Sequence, residues 1–383
     1  MKRQVALIIE TSSVYGRNVL SGIVRHMRMH DEWSVFLEQR DLFKNPPAWL
    51  NNWQGDGIIS RATTPQLLAA ISKTGVPFID LTDRYTESNV PSVRSDDAAI
   101  GAMGAEHLME RGFERFGFCG FKNEEWSQRR EAAFKATIQA KLSTTCASFN
   151  TPWQEASTRP WQVEQKLIEA WLISLAPPFA IMACNDIRGQ HVIDACLRLG
   201  LDVPEQVSVL GVDNDELLCR LCSPPLSSVV SNAEGVGLKA AEMLSDLMAG
   251  KKLRSPFQAI PPVDVAIRQS TDAIAIEDRS IATALRYIRE HACRGLTVEE
   301  VVQQTAVSRS SLERKLRKLL GRTPQEEIRH VQINRARELL ATTDLSAERI
   351  AELCGFEHPE YLHVVFKRVT GLTPGRFRRQ AKP

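Results

Sequence analysis

Leu296-Thr-Val-Glu-Glu-Val-Val-Gln-Gln-Thr-Ala-Val307, followed by Ser308-Arg-Ser-Ser-Leu312-Glu-Arg-Lys-Leu316-Arg-Lys-Leu-Leu-Gly321-Arg-Thr-Pro324, is written twice in this chain. The second version is Leu345-Ser-Ala-Glu-Arg-Ile-Ala-Glu-Leu-Cys-Gly355-Phe356, then His358-Pro-Glu-Tyr-Leu362-His-Val-Val-Phe366-Lys-Arg-Val-Thr-Gly371-Leu-Thr-Pro374. Leu296 falls on Leu345 at an offset of 49, and Leu312 falls on Leu362 at 50, because Glu357 is an extra residue of the second copy. Each copy has the grammar of helix, tight break, helix. Thr297 and Ser346 suit N-caps, each with an acidic residue two positions on, and Val301-Val302 or Ile350-Ala351 gives the first helix a buried face. Ala306-Val307 and Gly355-Phe356 fill the break. Ser308 then caps a second helix in which Leu312, Leu316, Leu319 and Leu320 keep three-to-four spacing.

The outward face of that helix carries Arg309, Ser310, Glu313, Arg314, Arg317 and Lys318. It suits a polyanion with hydrogen-bonding edges, since Arg pairs bidentately with guanine while Arg and Lys neutralise phosphates. The second copy offers His358, Glu360, His363 and Lys367 for the same purpose. Between the copies, Pro324 opens a helix predicted to run to Thr342, with Ile328, Val331, Ala336, Leu339 and Leu340 on one stripe. At about 1.5 Å per residue this is a rod of roughly 28 Å. It can hold two reading helices about one turn of B-DNA apart, near 34 Å.

Residues 280–379 resemble the AraC-type family of transcription activators, through Ala336-Arg-Glu-Leu-Leu, Ile350-Ala-Glu-Leu-Cys-Gly-Phe and Phe366-Lys-Arg-Val-Thr-Gly-Leu-Thr-Pro374. The resemblance implies two helix-turn-helix units joined by a long helix, bound to double-stranded DNA. Cys354 stands where that family usually has Val. Val364 stands where it often has a polar reader, which implies that the second copy reads bases less and grips the backbone more.

Charge divides the 383-residue chain in the same place. From Arg279 onward, 20 Lys and Arg face 12 Asp and Glu; the preceding part has 28 and 34, so a basic region follows an acidic one. With 43% hydrophobic and 25% charged residues, the composition is that of an ordinary soluble globular protein of two or three domains. No run of 18 apolar residues occurs, and Met-Lys-Arg-Gln leads into a strand pattern, so neither a membrane span nor a signal peptide is expected and the cytoplasm is the expected location. The eight cysteines are scattered as reduced thiols would be. Cys219-x-x-Cys222 lacks a second pair and His26/His30 lack a third ligand, so no metal or cofactor is expected.

Residues 1–270 alternate apolar runs with helical segments: strands at Val5–Ile9, Trp33–Leu37, Gly57–Ser60, Pro77–Leu81, Phe116–Cys119, Cys146–Phe149, Ala180–Ala183 and Val207–Gly211. Helices are predicted between them from Tyr15, Pro65, Asp97, Glu125, Trp161, Asp186 and Glu234. Such an order implies α/β architecture with parallel sheets covered on both faces and ligand bound at the strand C-termini. Polar residues gather there: Ser12, Ser13 and Arg17; Asp80 and Asp83; Arg129 and Arg130; Asn185 and Asp186; Asp213, Asn214 and Asp215. Carboxylates, an Asn and an Arg suit a polyhydroxylated ligand, with Trp126 or Tyr85 against a sugar ring. The competing structural role for each is a helix cap.

Ala183-Cys-Asn-Asp186, Glu205-Gln-Val-Ser-Val-Leu-Gly-Val-Asp-Asn214 and Pro225-Leu-Ser-Ser-Val229 are similar to the sensor domain of lactose-repressor-type regulators, itself similar to periplasmic sugar-binding proteins. The resemblance spans residues 3–268 and implies a two-lobed sensor. It also implies that Asn185, Asp213 and either Arg129 or Arg130 hold ligand hydroxyls, with Arg130 preferred because it stands four before Phe134. The full ligand set expected is Ser13, Arg17, Asp83, Trp126, Arg130, Asn185 and Asp213.

A sensor of this type (1–270), a linker (271–279) and an AraC-type domain (280–383) resemble together the bacterial xylose operon regulators, with Tyr287-Ile-Arg-x-His-Ala-Cys293-x-Gly extending the likeness. That resemblance implies a sugar effector, D-xylose, that closes the lobes and redirects the DNA-binding domains of a homodimer, with RNA polymerase as a further partner. A regulator answering a non-sugar molecule, or a dimerising DNA-binding protein without effector, stays open at this level. Enzyme signatures G-x-x-x-x-G-K-[ST], G-x-S-x-G and H-E-x-x-H are absent, and Gly235-Val-Gly237-Leu-Lys-Ala240 is read as close helix packing rather than a dinucleotide fingerprint, so no catalysis is expected.

Overall fold

Val5, Leu7 and Ile9 enter one apolar cluster while Ala6 and Ile8 enter another on the opposite face, as a side-chain period of two requires. A strand buried on both faces belongs inside a parallel sheet. In the computed structural model, which describes residues 2–30, 33–38, 46–61, 63–82, 90–153, 160–272, 278–305 and 307–381, the chain forms two compact units, Met1–Ala273 and Ile274–Pro383.

The first unit contains two six-stranded sheets. One is ordered β11 (Phe257–Ile260), β5 (Ser92–Ser95), β4 (Phe78–Asp80), β3 (Gly57–Ser60), β1 (Arg3–Ile8) and β2 (Trp33–Glu38), every neighbouring pair parallel. The other is ordered β12 (Val265–Ala266), β10 (Ser227–Val229), β9 (Val207–Val212), β8 (Phe179–Ala183), β6 (Phe116–Lys122) and β7 (Cys146–Pro152), with only β10 and β12 antiparallel. Helices α1 (Val14–His30), α2 (Pro65–Thr74), α3 (Asp97–Met109), α4 (Glu125–Leu142), α5 (Trp161–Ile173), α6 (Asp186–Leu199), α7 (Glu216–Leu221) and α8 (Ala233–Met248) alternate with the strands. The predicted alternation is present, yet β5, β10, β11, β12 and α7 were not anticipated from the sequence.

The chain passes between the two lobes three times, after β5, after β10 and after β11. These crossings are bonded to one another: Ser95 Oγ donates to the Ser231 carbonyl at 3.2 Å, Asp96 N–H to Ile260 at 2.8 Å and Val230 N–H to Asp264 at 2.9 Å. Helix α8 thereby returns to the first lobe and packs on α1. A β-carbon on Gly237 would stand 1.9 Å from the Val19 carbonyl oxygen, so this glycine serves close helix packing, whereas one on Gly235 would meet only the capping Asn232 side chain. His26 in α1 is buried and shares a hydrogen bond of 2.9 Å with Ser245 of α8, which places its ring in helix packing, while the exposed His30 stacks on it.

The second unit is helical: α9 (Arg279–His291), α10 (Val298–Gln303), α11 (Arg309–Leu320), α12 (Pro324–Thr342), α13 (Ala347–Leu353), α14 (Pro359–Thr370) and α15 (Pro374–Ala381). The caps stand where expected. Thr297 forms a capping box with Glu300, and Ser308 and Ser346 accept from Ser311 and Arg349 N–H. Thr323 forms a second box with Glu326, ahead of Pro324. Ala306 and the Leu319 side chain lie outside the described residues.

The predicted single stripe on α12 is corrected. Ile328 and Val331 pack with Ile281, Leu285, Leu312 and Leu316, whereas Ala336, Leu339 and Leu340, joined by Ile333, pack with Ile350, Leu362 and Phe366. Two cores on different sides of one helix need two faces. At their junction the buried Gln332 donates to the Ala292 carbonyl at 2.8 Å and to that of Gly355 at 3.2 Å. No described helix is long and apolar enough to cross a membrane.

Candidate functional site

Strands β1, β3 and β4 end on one side of a cavity of about 320 Å³, and β8 and β9 end on the other. Its size falls at the low end of small-molecule sites, roughly 300–1,000 Å³. The first lobe contributes Glu10, Ser12, Ser13, Tyr15, Arg61, Thr63 and Thr82; the second contributes Trp126, Arg130, Trp153, Asn185, Asp186, Asp213 and Asp215.

Arg130 anchors the second-lobe wall. It is 3% exposed, donates Nε to Asp97 at 2.9 Å and Nη1 to the Cys184 carbonyl at 2.7 Å, and lies 4.9 Å from the Trp126 ring centroid. Burial alone would lower its pKa, but the Asp97 and Asp213 carboxylates outweigh burial and hold the guanidinium charged. Arg129 donates to Asp97 and Glu125 and does not line the cavity. Arg130 Nη2 stands 3.9 Å from Asp213 Oδ1, too far for a direct hydrogen bond. That oxygen is buried without a hydrogen-bond partner in the protein. Asp213 also adopts φ of +97°, where a non-glycine residue is held only by its surroundings.

Asp186 supplies those surroundings. Its carboxylate accepts from Ser228 Oγ at 2.6 Å and from Asp215 N–H at 2.7 Å, pinning the turn that carries Asp213. Burial, and then the Asp213 charge, push its pKa up to about 8. In the first lobe Glu10 is fully buried, pairs with Arg61 and accepts from Ser13 Oγ at 2.8 Å, while its Oε2 has no hydrogen-bond partner in the protein. Arg61 lies 4.4 Å from the centroid of the Tyr15 ring. Glu10 and Asp213 thus line the cavity from opposite lobes, each with one buried carboxylate oxygen lacking a hydrogen-bond partner in the protein, beside a buried cation and two indoles. Carboxylates and a guanidinium in one cavity match the donors and acceptors of a polyol.

Of the residues expected from sequence, Ser13, Trp126, Arg130, Asn185 and Asp213 line the cavity. Ser13 and Asn185 also cap helices, accepting from Gly16 and Arg188 N–H at 3.0 Å. Arg17 is not brought there: its guanidinium turns back to the Thr11 and Ser12 carbonyls, which a residue one turn into α1 reaches more easily than the strand ends. Asp83 and Tyr85 lie outside the described residues. Sequence reasoning missed Glu10, Arg61, Trp153 and Asp97. Glu10 directly follows the run Val5–Ile9, the strand-end signal applied elsewhere, whereas nothing local marks Asp97 as the partner of two arginines. Among the described residues no group of three His, Cys, Asp or Glu could hold a metal ion. Cys219 and Cys222 are buried free thiols, and burial pushes Cys222 up to about 11.

In the helical unit, Arg309, Ser310, Arg314 and Arg317 on α11 are exposed and Glu313 is half-buried; His358, Glu360, His363 and Lys367, on or beside α14, are all exposed. Arg309 is engaged by Glu299 and by Glu313, the latter at 3.2 Å, so it must exchange carboxylates for phosphate or base to bind DNA.

Three family models match the chain: XylR N-terminal domain over residues 4–95, periplasmic binding protein-like domain over 105–271 and helix-turn-helix domain over 301–380. The xylose operon regulatory protein of Escherichia coli (strain K12) is 31% identical over 387 residues, 98% of this chain and 97% of the relative. That of Haemophilus influenzae is 30% identical over 98% of each. The solved structure of a xylose-binding transcription activator is 30% identical, with a TM-score of 0.83 over 100% of this chain and 99% of that one.

Proposed function

The chain belongs to the family of xylose operon regulatory proteins, and from that premise we propose that it is a D-xylose-responsive transcription regulator. Residues 1–270 sense the sugar and residues 280–383 bind operator DNA through two AraC-type helix-turn-helix units. The supporting observation is that Glu10 and Asp213 line one cavity from opposite lobes, each with a buried carboxylate oxygen that has no hydrogen-bond partner in the protein. A sugar whose hydroxyls donate to both, and which also accepts from Arg130, binds the closed arrangement better than the open one. A ligand shifts a conformational balance only through such a difference. About 1 to 3 kcal/mol of coupling changes DNA affinity roughly 5- to 150-fold.

The regulator acts in the cytoplasm as a homodimer that presents four reading helices to paired half-sites and engages RNA polymerase at the promoter; no catalytic step is involved. Thermal unfolding of the full-length protein with D-xylose, D-ribose and L-arabinose tests the assignment. D-Xylose at 100 times its dissociation constant adds about 2.7 kcal/mol to the stability of the sensor. Asp213→Ala removes that increment while leaving basal DNA binding intact. Absence of a shift with all three sugars rejects a pentose effector, and unchanged D-xylose affinity in Asp213→Ala rejects that residue.

A further inference from the structure

Helix α14 buries Leu362, Val365 and Phe366 against α12 and α13. With 3.6 residues per turn, the side directly opposite is centred on Val364, one turn from Glu360, Lys367 and Arg368. Val364 is 64% exposed. Its counterpart in α11, at the offset of 50 set by Leu312 and Leu362, is Arg314, which is also exposed. The most outward position of the two reading helices therefore carries a bidentate donor in one copy and two methyl groups in the other.

We infer that Val364 reads the 5-methyl group of a thymine in the half-site engaged by α14, so that the two units demand different bases at corresponding positions. The inference rests on the assignment of this unit to DNA. Lys367, Arg368 and His363 around Val364 suit a phosphate-lined groove, and the major groove displays one apolar group, the thymine methyl. A valine in that setting cannot accept or donate a hydrogen bond, so it discriminates by touching that methyl and by leaving the polar edges of guanine and cytosine unpartnered.

The test uses full-length protein and a duplex selected by it from random sequence, with each thymine replaced singly by deoxyuridine, which deletes only the methyl. At one thymine in the α14 half-site the replacement weakens binding about 4-fold, as removal of one buried methyl does, and Val364→Ala binds the thymine and uracil duplexes equally. Val364→Arg shifts the preference at that base pair from thymine toward guanine. Uniform binding to all uracil duplexes by the unaltered protein, or a uracil penalty that survives in Val364→Ala, overturns the inference while leaving DNA binding itself standing. Failure to select any duplex overturns the inference together with the DNA-binding assignment.

Discussion

Leu312 and Leu362 hold matching places in the two reading helices, as do Leu316 and Phe366, and all four are buried. Arg314 and Val364 match as well, and both are exposed. Ser308, Ser310, Glu313 and Arg317 are likewise answered by His358, Glu360, His363 and Lys367, so the outward set differs almost completely between the copies while the inward set stays apolar. The difference follows from where substitutions cost stability: core positions must keep volume and apolarity, whereas exposed ones are nearly free to change. One scaffold can then address two unlike half-sites.

The inward half of the comparison carries the largest expected effects. Phe366→Ala should cost about 3–5 kcal/mol and Leu316→Ala about 2–5 kcal/mol. All seven tryptophans lie in the sensor, so indole fluorescence follows that unit in urea while helical circular dichroism follows both. The expected result is an earlier helical transition with the fluorescence transition unmoved. A cost below about 1 kcal/mol for either variant would show that its core collapses around the gap and that the two interiors are not equivalent.

The outward half predicts a specificity effect with no change in stability. Arg314→Ala should reduce discrimination between selected and random duplexes by about 1–3 kcal/mol for each base that the arginine reads. If the variant instead lowers affinity for every sequence and reduces the salt slope by about one, Arg314 binds phosphate. Gln332 joins the two copies. Removing its amide in Gln332→Ala leaves the buried Ala292 carbonyl and the half-buried Gly355 carbonyl without that donor, at about 1–3 kcal/mol, and should relax the spacing tolerated between half-sites. Selection of duplexes with one base pair inserted between half-sites checks this, and an unchanged spacing requirement would assign the orientation of the two units to apolar packing alone.

Much of this arrangement was legible in the residues because its signals are local. Ser308, Thr297 and Pro324 announce helix starts within a few positions, and Val5–Ile9 or Ala180–Ala183 announces a doubly buried strand by composition. What escaped depends on distant partners. Ser-Val-Arg-Ser at β5 and Ser-Ser-Val at β10 contain no apolar run, and their polar groups are buried because other segments satisfy them, as Ser270 Oγ accepts from Ser227 N–H at 2.8 Å. The cavity divides the same way. Asn185 and Asp213 stand at strand ends that sequence marks, while Arg17 folds back on its own loop and Asp97 acts only because α3 packs on α4. Separating Arg130 from Arg129 needed the helix in place, since only one of two adjacent side chains can face inward.

The smallest effect concerns how the two reading helices begin. Ser308 Oγ accepts the Ser311 N–H, whereas the His358 side chain makes no cap hydrogen bond and the helix starts on Pro359, whose fixed φ suits the first turn and whose missing N–H removes one unsatisfied donor. Ser308→Ala should therefore cost about 1 kcal/mol, and His358→Ala much less, in the same unfolding experiment. The two substitutions part again on DNA, because the His358 ring, not committed to the cap, is available to a phosphate. His358→Ala should then lower affinity for selected and random duplexes alike without moving the helical transition. Equal destabilisation by the two substitutions would mean that His358 caps after all, and the copies would differ less at their entry points than at Arg314 and Val364.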